Sequence, residues 1–291
     1  VTEKYTQKDK ETLVDLLGEI IEPHIPALSD VFQRFGRWLQ DVNERYAPLI
    51  QSYSQVDWKQ VKERLDTMPQ RSSAAMKLAA QQGWFFNWQD SLQNTLKLID
   101  EISGAEDGKI DEILEAYYEE NLDWFTSMLC DKFPLRKRVI EAATNAHKQS
   151  DGDGYCLSVP VFLAQADGLF WEVSGIDSPM NKAKGGGLLL GSNWVKNQIG
   201  EDQRANDLLS PFFQMHDLDL LKSQSVREKE FERDGKVFNA LNRHQVLHGE
   251  VSDYGTKINS LKAFSLLIFI GIHLPDILKR TSERKESEST L

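Results

Sequence analysis

The longest apolar run in the chain, residues 263–274, limits what the rest can fold into. Only Ser265, Gly271 and His273 interrupt it, and helical spacing extends the segment over about residues 257–278. It falls well short of the roughly 20 apolar residues that a bilayer span needs. It is therefore expected to be a buried core helix, with other helices packed round it and no membrane among its partners.

The remaining pattern is helical too. Leu13, Leu16, Leu17, Ile20 and Ile21 recur at helical spacing until Pro23 and Pro26 break the run. Leu28, Val31, Phe32, Phe35, Trp38, Leu39, Val42 and Tyr46 make one apolar stripe. Helices are expected at 72–82 and 91–102, joined by Gly83-Trp84-Phe85-Phe86-Asn87-Trp88. Aromatics so dense usually plug a helix corner; a base-stacking platform is the competing reading, and it lacks basic neighbours. Residues 135–148 read as a basic amphipathic helix and 155–173 as a second, with Pro160 early, giving an antiparallel hairpin across the turn Ser150-Asp151-Gly152-Asp153-Gly154. The loop 175–187 sets Gly185-Gly186-Gly187 near Lys182 and Lys184; it lacks P-loop spacing and reads as a connector able to close over a site. Short helices follow at about 206–221 and 227–231, and residues 281–291 are expected to be a polar disordered tail. With no alternating strand pattern, the fold class is all-α.

A net charge of −11 argues against coating long nucleic acid by charge alone. The acidic excess is concentrated in residues 1–133, so a local nucleic-acid site is better placed in residues 134–291. Between Asp100 and Asp123 ten acidic residues stand with one lysine, Lys109; a solvated helix face is expected, with docking of a basic partner as the alternative. Cys130 and Cys156 are too few for a disulfide framework, which points to a reducing, cytoplasmic setting with both thiols buried. No secretory signal is expected, since residues 2–11 are polar. Pro134 is taken as the boundary between an acidic helical region, 1–133, and a helical bundle, 134–280.

Before the apolar helix stands Asn242-Arg243-His244-Gln245-Val246-Leu247-His248-Gly249. Arginine offers a planar fork of donors to phosphate, and histidine moves protons near neutral pH. The stretch is expected to end a short helix, over about 237–248, stopped by Gly249. At 100° per residue, Arg243 and His248 point about 140° apart on a regular helix, whereas His244 and His248 share a face. Convergence of Arg243 with His248 requires a distorted helix end or a second chain related by a two-fold axis. His244 and His248 lie at a spacing that could hold zinc, but no third ligand is placed, so no metal or cofactor is expected.

Arg243, four intervening residues and His248, with a polar residue directly after the arginine, resemble the signature of the HEPN superfamily of small helical bundles. The resemblance extends over about residues 134–279 and implies a HEPN-type bundle that dimerises to cut RNA by 2′-hydroxyl attack, without metal, in toxin–antitoxin or antiviral defence systems. It implies Arg243, His248 and His244 as catalytic residues, Asp167 as the acidic residue facing the motif, and an antitoxin or other defence protein as a possible partner. Thr256 as a helix N-cap, with Asn259 and Lys262 in the following turns and Asn242 beside the motif, are candidate RNA contacts. Two other readings stand beside it: a non-catalytic interaction module in which the motif shapes an interface, and a nucleotide-sensing helical domain.

Overall fold

The computed structural model describes residues 58–86, 92–106, 108–149, 152–183, 187–235 and 237–289. The two helices expected before residue 50 lie outside them. The chain divides into two units, Val1–Pro69 with Glu283–Leu291, and Gln70–Ser282. Helices α1 (Trp58–Gln81), α2 (Leu92–Ser103), α3 (Lys109–Glu120) and α4 (Leu122–Lys132) lead into a 3-10 turn, Pro134–Arg136. The hairpin α5 (Lys137–His147) and α6 (Gly154–Ser174) follows, then α7 (Leu190–Ile199), α8 (Gln203–Leu208), α9 (Ser210–Phe213), α10 (Gln224–Asp234) and α11 (Arg243–Leu247). The apolar segment forms α12 (Lys257–Ile268), a π-helical turn (Phe269–His273) and α13 (Leu274–Ser289). No strand occurs among the described residues, where extended chain pairs only in an isolated Lys182–Leu189 bridge. The fold is all-α.

The centre of the Gln70–Ser282 unit is α12, buried continuously from Ala263 to Ile268 and on through the π turn. Lys257–Ser287 is long and apolar enough to cross a membrane by composition alone, but 78% of its apolar window is buried within the protein, as in a core helix. Helix α6 lies along it, with the Phe162 and Phe264 rings 5.1 Å apart. A hydrogen-bonded seam runs through this packing: Ser260 Oγ lies 2.7 Å from His147 Nδ1 and 2.6 Å from Ser158 Oγ. Each buried polar group there has a partner, which removes the 1–3 kcal/mol that an unmatched one typically costs. Gly271 lets the π turn pack closely, because a Cβ there would lie 2.6 Å from Leu129 Cδ2 and the Leu129 side chain would have to move.

Trp84, Phe85 and Phe86 are fully buried and plug the corner after α1. Trp84 Nε1 donates to Asp111 at 2.6 Å, and Tyr118 Oη donates to the Phe85 carbonyl at 2.5 Å. The acidic stretch finds cations in its own chain: Lys257 pairs with Glu115 and Glu119, and Lys262 with Asp111. The acidic helix α3 is thus docked on the start of α12, not wholly solvated.

Several expectations are corrected. Pro134 is no packing boundary, because α3 and α4 share one core with α6 and α12; the division falls near residue 69. Proline ended a helix here without ending a domain. Residues 281–289 continue α13 instead of forming a disordered tail: they hold no Gly or Pro, and extending an existing helix avoids the nucleation cost. The helix expected at 206–221 is broken into α8, α9 and two 3-10 turns, since Pro211 begins a new turn. Helix α7 falls in residues that carried no helix assignment. Cys130 is buried as expected, but Cys156 is exposed near the start of α6.

Candidate active site

The motif helix is shorter than its apolar pattern suggests. Asn242 caps it, its Oδ1 accepting from the Gln245 N–H at 3.1 Å. The far end closes as a Schellman turn: Glu250 N donates to the Gln245 carbonyl at 2.8 Å and Gly249 N to that of Val246 at 3.3 Å, with Gly249 at φ +70°. His248 therefore sits at the cap in right-handed helical geometry, its N–H still bonded to the His244 carbonyl. The regular geometry keeps Arg243 and His248 on different sides of α11.

Arg243 points toward the hairpin, where Nη2 donates to Asp167 Oδ2 of α6 at 2.5 Å. The arginine side chain is 13% exposed. Arg243 Nε and Asp167 Oδ1 are both buried without a hydrogen-bond partner. The pair fixes the guanidinium while leaving donor and acceptor capacity unmatched. On the other side of α11 the His244 and His248 rings stack, 6.0 Å apart and 7° from parallel. Burial, reinforced by Arg243, His248 and Arg227, holds the His244 imidazole below the ordinary histidine range. The lowered value favours the neutral imidazole of His244; His248 is exposed to solvent.

Beneath the motif lies a hydrogen-bonded network whose central arginine no local sequence pattern announces. Arg227 of α10, only 8% exposed, donates to the Lys222 carbonyl and Asn242 Oδ1 through Nη1, and to Glu250 at 2.7 Å through Nη2. It also lies over the Phe238 ring, 5.6 Å from its centroid. Asn242 Nδ2 donates to the carbonyls of Asp219 and Lys222. Asn242 is buried and fully engaged, so it holds the motif in place and is not presented to RNA. An N-capping Asn three residues before Gln245 was the available signal; nothing local marks Arg227.

Thr256 caps α12, accepting from the Asn259 N–H at 3.2 Å, and Asn259 Nδ2 donates to the Tyr254 carbonyl. This loop is pinned to α6 by the Tyr254 hydroxyl on the Cys156 carbonyl and by Gly255, where a Cβ would meet Cys156 Sγ at 2.2 Å. Lys262 is turned to Asp111 and the Trp84 ring, contrary to its expected role in holding RNA. Among the described residues, no three His, Cys, Asp or Glu side chains gather as a metal set. Comparison with protein-family models, curated proteins and solved structures finds no match to this chain.

Proposed function

We propose that the Gln70–Ser282 unit is a HEPN-like endoribonuclease that cuts RNA with side chains alone and acts as a pair of chains. The observation that carries the reading is the motif's geometry: Arg243 is held by Asp167 with unmatched polar capacity, while two stacked histidines, His244 at the second helical position and His248 at the C-cap, belong to the same short helix. In the reaction a neutral imidazole, His244, takes the 2′-hydroxyl proton as the 2′-oxygen bonds to phosphorus. The bond from phosphorus to the 5′-oxygen breaks, and His248 acts as the general acid that supplies the proton to that leaving oxygen. A 2′,3′-cyclic phosphate and a 5′-hydroxyl result. Arg243 stabilises the charge that develops on the phosphoryl oxygens.

Because α11 stays regular to its end, Arg243 of one chain meets His248 of another across a two-fold axis. Exposed apolar residues on α6 support a second copy: Leu157, Ala164 and Trp171, seven residues apart, form one stripe, with Leu157 60% and Trp171 51% exposed. Service in a toxin–antitoxin or phage-defence system is what the resemblance adds. The test is cleavage of RNA by purified protein in excess chelator, with the product ends identified. Arg243→Ala and His248→Ala are each expected to lower the rate by about 10²–10⁴-fold; undiminished cleavage by the double variant would sink the proposal. A second reading, a non-catalytic interaction module, is favoured by the charge neutralisation of Arg243 by Asp167, and it predicts no cleavage by the parent chain.

A further inference from the structure

We infer that the cleft beside the motif helix is a nucleobase subsite that prefers guanine; the inference rests on the ribonuclease reading and names the substrate feature which that site would select. The cleft, of about 670 Å³, lies between α10, the segment after it and the end of the motif. Its lining includes Phe231, Phe238, Glu228, Glu232, Gln245 and Glu250. Gln245 links it to the chemistry, because at 100° per residue its side chain leaves α11 about 60° round from that of His248. A group seated in the cleft thus lies beside the histidines, not beside Arg243.

The lining decides what that group is. Among the described residues, three carboxylates line the cleft and make it hostile to a phosphate, and the cation there, Arg227, is already committed to Glu250, Asn242 and the Lys222 carbonyl. Ionised carboxylates only accept hydrogen bonds, so the part of an RNA seated here has to be an uncharged base that presents donors, not a phosphate. Arg227 covers a face of Phe238, whereas Phe231 is 54% exposed and offers an open ring for stacking. A flat ring with donors along its edge satisfies both demands. Guanine presents its N1–H and 2-amino group side by side to one carboxylate, while uracil presents a single N–H.

The experiment compares the parent with a Phe231→Ala, Glu232→Gln double variant on short RNAs that differ in one base beside the cut. Full-length chain is also titrated calorimetrically with guanosine and with uridine. The parent is expected to cut the guanine substrate about tenfold faster than its uracil counterpart, a preference that the double variant loses. Guanosine is expected to bind more tightly than uridine, and the variant to lose the difference. Glu232→Gln alone, nearly isosteric, serves if the double variant does not fold. An unchanged base preference in the variants, or equal or undetectable binding of the two nucleosides, overturns the inference. If the parent cuts no RNA, the ribonuclease reading fails on its own, and the nucleoside titration alone decides the cleft.

Discussion

Two arginines sixteen positions apart face each other's problem from opposite sides. Arg227 and Arg243 are both largely buried, and each pairs with a carboxylate from a distant segment, Glu250 and Asp167. Arg227 also bonds a carbonyl and an amide and covers an aromatic ring, whereas Arg243 makes one hydrogen bond and leaves Nε unmatched. The first arrangement tethers a chain segment; in the proposed reading the second holds a charge ready for a phosphate. Burial and a salt bridge alone do not distinguish the roles, but the number of donors left unmatched does.

The contrast is broken or sharpened by substitution. Arg227→Ala leaves Glu250 and Asn242 without their partner and is expected to cost about 3–5 kcal/mol of stability, read from urea unfolding. Arg227→Lys should recover little, because an ammonium cannot reproduce the forked contacts. Acid gives an independent baseline. Burial pushes the His273 imidazole down to about 3, so the fold binds its proton less readily than the unfolded chain does. Its contribution is complete above the unfolded value near 6.5 and is lost as pH falls from there toward 3, about 5 kcal/mol in all. His273→Phe should flatten that part of the profile, and both arginine variants should keep it. Asn242→Ala removes the cap of α11 as well as its bonds to Asp219 and Lys222, at about 1–2 kcal/mol. Arg243→Ala strips the partly buried Asp167 of its one partner and is expected to cost about 1–3 kcal/mol, less than Arg227→Ala because fewer bonds are lost, while removing activity. Similar stability losses for Arg243→Ala and Arg227→Ala would erase the distinction.

How much was legible beforehand follows from the range of the forces involved. Residues 257–278 announced their helix and its burial, because apolar periodicity is local. The stop at Gly249 was legible for the same reason, since a Schellman turn needs φ above zero where glycine fits best. Arg227 was not legible: its partners Asn242 and Glu250 are 15 and 23 residues away. Lys262 seemed free to hold RNA only because Asp111, 151 positions earlier in the chain, could not be seen beside it. The divergence of Arg243 from His248 came from helix geometry alone, and the Schellman closure keeps that geometry regular to the cap.

The most direct test of a composite site is complementation between two inactive chains. Arg243→Ala and His248→Ala proteins are purified, mixed in equal amounts with dissociation and reassociation, and assayed on RNA in excess chelator. Neither alone should cut. The mixture should regain about a quarter of the parent rate, since half of the dimers are mixed and each carries one complete site. A mixture as inactive as its components, under conditions where mixed dimers are shown to form, would contradict the account.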